Sequence, residues 1–264
     1  MAEIGGLYWE SHGRADAEPL ILSPGLGGSG QYWQPNIAAL AEQYRVIVYD
    51  HRGTGRSDRA LAGRVTIGTM AEDVIALLDG LGIEKTHFLG HAAGGVIGLA
   101  LALSAPERLA ALIVVNGWSR LDPHFARCFE TRLALLRDGG PRAYLKAQPI
   151  FLYPANWSSD HSAELDAELE AQLAAFPNAD TIVRRVTALR SFDIDDRLAE
   201  INLPVMLVVS EDDMLVPAKC SHRLAKGISG AQLGVLGSGG HACNVTRPDM
   251  FNRLVLSWLS QAGH

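Results

Sequence analysis

Seven residues, Leu89-Gly90-His91-Ala92-Ala93-Gly94-Gly95, restrict the possible folds more than any other stretch of the chain. Lys85 to Leu89 before them reads as a strand, and Val96 to Leu103 after them reads as an apolar helix studded with Gly and Ala. A buried strand that passes into a buried helix through so short a turn leaves no room for side chains around the apex, so glycine stands on both sides. The apex is Ala92. Alanine carries no hydroxyl, thiol or other nucleophilic group.

Length and composition then bound what surrounds this turn. With 264 residues, 48% hydrophobic and 20% charged, the chain can bury one sizeable core and still carry an inserted subdomain. The formal net charge is -6 and the basic residues are scattered, which argues against nucleic acid and anionic membranes as partners and for a small-molecule substrate. No signal-peptide pattern opens the chain and no apolar run is long enough to span a bilayer, so a cytoplasmic location is expected. Cys128, Cys220 and Cys243 are odd in number and lack metal-ligand spacing; reduced thiols are expected, with no disulfide, metal or cofactor.

From the N-terminus, Gly6 to Ser11 and Pro19 to Ser23 read as strands around a polar turn, and Pro24-Gly25-Leu26-Gly27-Gly28-Ser29-Gly30 is too rich in Gly for helix or strand. Arg45 to Tyr49 is a continuous apolar run of the kind a parallel sheet buries on both faces, and it ends in Asp50-His51-Arg52-Gly53-Thr54-Gly55-Arg56-Ser57. Met70, Val74, Leu77, Leu78 and Leu81 recur at helical spacing before the Ala92 turn. After it, Ala110 to Val115 is another buried strand, closing at Asn116-Gly117-Trp118. Ligands of open α/β sheets collect at the carboxyl ends of strands, which makes Asn116 and Trp118 candidate pocket wall.

Between about Ser119 and Arg190 the strand signal disappears. Phe125 to Leu136, the face marked by Leu165, Leu169, Leu173 and Phe176, and Thr181 to Leu189 all read as helical. Gln148 to Trp157 reads as an unusually aromatic loop, with Tyr153 and Trp157 as further candidates for the pocket wall. Strands resume at Leu203 to Val209, running into Asp212-Asp213-Met214-Leu215-Val216-Pro217, and at Gln232 to Leu236, running into Gly239-Gly240-His241-Ala242-Cys243-Asn244. A closing helix follows from Pro248, with Phe251, Leu254, Val255 and Trp258 on one side. The organisation expected is α/β: a core from 1–118 and 191–264, and a helical insertion from 119–190.

These features together resemble the α/β-hydrolases, whose strand-turn-helix elbow has the pattern G-x-S-x-G and whose triad runs in the order elbow, acid, His. The resemblance implies a mostly parallel sheet with helices on both faces and a helical cap over the active site. It implies Asp213, four residues before Pro217, as the acid in preference to Asp212, and His241 as the base. It also implies an oxyanion site from the backbone N–H groups of Leu26 and Ala93, and a structural role for the loop from Asp50 to Ser57. Val114-Val115-Asn116-Gly117-Trp118, Gln148-Pro149, Phe151-Leu152-Tyr153-Pro154, Trp157 and Gly239 to Thr246 narrow it further. They are similar to the RutD family of the Rut pyrimidine-utilisation pathway, which shares the Gly-His-Ala elbow.

That family implies hydrolysis of a small C–N product of uracil breakdown: carbamate to carbon dioxide and ammonia, or 3-aminoacrylate to malonic semialdehyde and ammonia. Losing the nucleophile of a triad costs about a million-fold in turnover, which disfavours esterase or amidase chemistry. Carbamate and aminoacrylate fall apart in water unaided and need mainly a placed proton, to which a positioned His contributes roughly 10²–10⁴-fold. A weak accelerator of a spontaneous reaction, working through His241 and Asp213, is the expected enzyme. A non-catalytic binding protein on a degenerate fold is the alternative, and cofactor-free lyase or oxygenase chemistry a third. Cys243 is the substitute nucleophile nearest the base in sequence, although a Cys after a loop is more often a small buried hydrophobe. An exposed apolar face on the insertion would favour a homodimer.

Overall fold

The computed structural model describes residues 3–262. Its sheet has eight strands: β1 (Glu3–Ile4), β2 (Leu7–His12), β3 (Pro19–Ser23), β4 (Arg45–Tyr49), β5 (Thr86–His91), β6 (Leu109–Val115), β7 (Val205–Ser210) and β8 (Gln232–Leu236). They lie in the order β1-β2-β4-β3-β5-β6-β7-β8, with β1 and β2 antiparallel to their neighbours and every pair from β4 to β8 parallel. The mostly parallel sheet is therefore the one the sequence implies. Strand β1 has only two residues, too few to show a period.

Among the described residues eleven α-helices accompany it: α1 (Gln34–Ala41), α2 (Ile67–Gly80), α3 (Ala93–Ser104), α4 (Pro123–Lys146), α5 (Gln148–Leu152), α6 (Ala155–Asp160), α7 (Ser162–Ala174), α8 (Ala179–Arg190), α9 (Lys219–Gly227), α10 (Cys243–Thr246) and α11 (Pro248–Ala262). The strands alternate between two apolar layers. Ile21, Ile47, Phe88, Leu112 and Val114 pack toward α2 and α3, while Leu20, Leu22, Val46, Leu89 and Ile113 meet Trp33, Leu40, Phe251 and Trp258.

Between β6 and β7 the α-helices are α4 to α8. The segment from Gln148 to Trp157, expected as an aromatic loop, instead holds α5 and the start of α6. Pro149 sits in the first turn of α5 and Pro154 at the N-cap of α6, positions where the missing N–H costs nothing, so each proline starts a helix. Helix α4 bends at Gly140, whose φ of 71° precedes Pro141.

The turn between β5 and α3 shows why its glycines are obligatory. A methyl on Gly90 would overlap the backbone of Gly94, and one on Gly94 would overlap the carbonyl of Ser23 at the end of β3. Ala92 has φ 48° and ψ -105°, a backbone conformation that costs an L-residue about 1–3 kcal/mol. The Ala92 N–H donates to the Val115 carbonyl at 2.8 Å, tying the apex to β6.

Gly94→Ala should lower the urea-unfolding free energy by about 3 kcal/mol, the cost of overpacking against rigid backbone. Ala92→Gly should leave it unchanged or raise it by about 1 kcal/mol, because relief of strain offsets the greater freedom of the unfolded chain. A harmless Gly94→Ala would contradict the close packing described.

Candidate active site

The loops that leave β7 and β8 meet at one buried pair. His241 Nδ1 lies 2.7 Å from Asp213 Oδ2, with both side chains almost wholly shielded from solvent. The other carboxylate oxygen, Oδ1, accepts the backbone N–H groups of Leu215 and Val216 at 2.8 and 2.9 Å. Three donors thus fix the carboxylate, which in turn fixes the plane and tautomer of the imidazole, placing its proton on Nδ1. Asp212 does a different job: its Oδ1 accepts the Ser210 hydroxyl and the Gly240 N–H, each at 2.8 Å, and so shapes the loop that carries His241. His241 Nε2 has no hydrogen-bond partner among the described residues.

The pair stands beside the elbow. His91, one residue before the apex, donates from Nε2 to the His241 carbonyl at 2.8 Å, and the two rings are 4.6 Å apart. Its other face stacks on Tyr32 at 4.8 Å. Burial, and then the neighbouring His241, hold His91 well below the ordinary histidine range, so it stays neutral, with its proton on Nε2 and a bare, unpartnered Nδ1. A methyl on Gly25 would come within 2.9 Å of that Nδ1, so the glycine-rich loop passes directly over His91.

That loop is clamped from both sides. Its turn closes through Gly28 N–H to Gly25 O at 3.0 Å, and Asp50 Oδ1 accepts the Gly30 N–H at 2.7 Å. Asp50 also takes Arg56, and Arg52 is committed to Asp73 at 2.7 Å. The motif around Asp50 therefore spends its charges on holding loops. Arg185 of α8 donates to the Leu26 carbonyl from Nε at 3.2 Å and from Nη2 at 3.0 Å, and from Nη2 to His51 Nδ1 at 2.8 Å. Burial, then Arg185, keep His51 far below the usual histidine range, hence neutral. Ala93 opens α3, so its N–H is one of the first-turn donors that have no intrahelical acceptor and that form the positive end of the helix dipole.

The four candidate wall residues divide. Asn116, at φ 48°, spends both ends of its amide on backbone: Oδ1 accepts the Ser210 N–H at 3.0 Å and Nδ2 donates to the His241 carbonyl at 2.8 Å. It is a strut between β6, β7 and the His241 loop. Trp118 is buried against Phe125 with ring centres 4.5 Å apart. Tyr153 and Trp157 lie 4.6 Å apart, half-buried, in a segment that touches the histidine loop directly: the Leu152 carbonyl accepts the Ala242 N–H at 3.0 Å.

The sequence of residues 18–248 matches the family described as alpha/beta hydrolase fold. A protein of Caulobacter sp. (strain K31) named "Putative carbamate hydrolase RutD" is 52% identical over 97% of both chains. One of the same name from Agrobacterium fabrum is 46% identical over 97% of this chain and 99% of its own. The chain belongs to the RutD family of α/β-hydrolases. A crystallised hydrolase of Pseudomonas aeruginosa PA01, 30% identical, superimposes with a TM-score of 0.87 over 96% of this chain and 94% of that one.

Within this family's site, residues that pattern reading passed over are Tyr32, His91 and Arg185. For Arg185 a signal existed: it falls on the same face of α8 as Thr181, Ile182, Val186 and Leu189, all buried, where a cation is out of place. Cys243 lies beside the site but is fully buried, and burial, then Asp213, push its thiol up to about 12. At pH 8 that leaves roughly one molecule in 10⁴ as thiolate, too few for a working nucleophile. Iodoacetamide at pH 8 should therefore leave Cys243 of the folded protein unmodified by mass spectrometry. Rapid alkylation there would reopen its candidacy.

Proposed function

We propose that the chain accelerates the breakdown of carbamate to carbon dioxide and ammonia by placing a proton, with His241 as the acid-base group, Asp213 as its anchor and no covalent nucleophile. One observation carries the reading: an imidazole held by a three-donor carboxylate stands beside an elbow whose apex is Ala92. Relatives at about half identity bear the name of carbamate hydrolase, which supports the choice of substrate. In this reading residues 119–190 act as the cap, and its Leu152 contact closes the site over a molecule of very few atoms.

The Leu26 and Ala93 N–H groups would hold the two carbamate oxygens, which remain negative while nitrogen is protonated. Protonated His241 donates from Nε2 to that nitrogen. The C–N bond then breaks with its electron pair leaving on nitrogen, releasing ammonia and carbon dioxide, and His241 regains a proton from water. Asp213 stays ionised throughout and stabilises the imidazolium. The same proton delivered to the enamine carbon of 3-aminoacrylate would give an iminium open to water.

His241→Ala should reduce the protein's acceleration of carbamate decay by about 10²-fold or more, measured as ammonia release against the uncatalysed rate. Unchanged acceleration would refute the acid-base assignment, and saturable binding with no acceleration by the parent protein would mark a binding protein. Ala92→Ser should raise hydrolysis of p-nitrophenyl acetate by roughly tenfold or more, because the hydroxyl meets an imidazole already oriented, without speeding carbamate decay.

A further inference from the structure

Two arginines in the helices between β6 and β7 are buried with no carboxylate bonded to them among the described residues: Arg132 on α4 and Arg185 on α8, 3% and 2% exposed. A desolvated cation without a counter-charge needs an explanation. For Arg132 the structure supplies one, since its guanidinium lies 4.9 Å from the ring centre of Tyr144 and 5.7 Å from those of Phe129 and Phe151. The negative faces of three rings take the place of an anion. Among the described residues no such cage surrounds Arg185.

Arg185 opens instead onto a cleft of about 350 Å³, the size of a small-ligand site, between the loop that follows β4, helix α2 and helix α8. Of its five N–H groups, those on Nε and Nη2 are used by Leu26 and His51, while both on Nη1 find no acceptor among the described residues. Burial pulls the group down to about 10, so it remains cationic at neutral pH. The charges around the cleft are Arg52, Arg64 and Arg185 against Glu72 and Asp73, which leaves one in excess. Asp73 is taken by Arg52, and Glu72 and Arg64 are exposed. Leu61, Val65, Met70 and Ala76 make the remaining wall apolar.

We propose that this cleft binds a small carboxylate monoanion with a short apolar tail, its oxygens on the free Nη1 edge of Arg185 and its tail against Leu61, Val65 and Met70. A single excess positive charge suits a monoanion, and the two acidic side chains repel a dianion such as phosphate. The guanidinium presents the planar fork that fits a carboxylate. None of Ala92, Asp213 and His241 lines the cleft, so it is a second site. Because the same guanidinium holds the Leu26 carbonyl, an anion bound there braces the glycine-rich loop.

The test is calorimetric titration of the full chain with butyrate, with sulfate in parallel, at constant ionic strength. Butyrate should bind saturably at one site, and Arg185→Gln and Ala76→Trp should each weaken it by about tenfold or more. The tryptophan fills the cleft from an exposed position on α2 without removing any charged group, so it decides the matter should Arg185→Gln fail to fold. His241→Ala should bind butyrate as the parent does, and sulfate should bind about tenfold more weakly. No saturation, parent-like affinity in either cleft variant, sulfate binding as tight as butyrate, or loss of binding in His241→Ala would each overturn the proposal. The last outcome would place the anion at His241 and leave the reading of that site standing.

Discussion

Backbone against backbone, with no side chain between, is the contact on which the rest of this molecule depends. Gly94 lies on the Ser23 carbonyl and Gly90 on Gly94, so the end of β3 and the start of α3 close to a distance that any methyl group would prevent. That approach forces Ala92 into its strained apex and sets His91 between Tyr32 and His241. It also brings Pro24 and Gly25 of the glycine-rich loop against Gly94 and His91. The elbow is thus a device for assembling three loops, and that geometry does not need a hydroxyl at its tip.

The histidine loop is held with matching redundancy. Asn116 grips its carbonyl from β6, Asp212 its Gly240 N–H from β7, and Leu152 its Ala242 N–H from above. On the far side Asn244 continues into a buried chain of amides through Asn36 to Asn252, with Tyr32 donating to Asn244 at 2.7 Å. Polar groups buried and bonded at this density fix one arrangement, and breaking one such bond costs about 1–3 kcal/mol. So much structure around an imidazole is hard to reconcile with a relic.

How much of this was legible in the sequence follows from what kind of interaction makes each part. The parallel strands are apolar on both faces, so Arg45–Tyr49 and Gln232–Leu236 stand where pattern reading puts them, and the elbow shows through its glycines. Helices α5 and α6 were hidden because Pro149 and Pro154 look like breakers until one knows that they occupy first-turn and cap positions. The order of Ala92, Asp213 and His241 is visible along the chain, and the choice of Asp213 over Asp212 rests on its spacing from Pro217. The struts are not visible. Asn116 to His241 and Arg185 to Leu26 are side-chain bonds to backbone carbonyls far away in sequence, and a carbonyl has no residue identity to read.

Chemically, the arrangement suits a substrate that needs a proton more than an attack. A nucleophilic route would add oxygen to the carbamate carbon and release bicarbonate, whereas nitrogen protonation followed by C–N cleavage releases carbon dioxide without taking oxygen from water. Membrane-inlet mass spectrometry of carbamate turnover in ¹⁸O-water tells the two apart before the products exchange. The account predicts an early burst of unlabelled carbon dioxide that the protein accelerates. Bicarbonate as the first product, carrying one ¹⁸O, would contradict it.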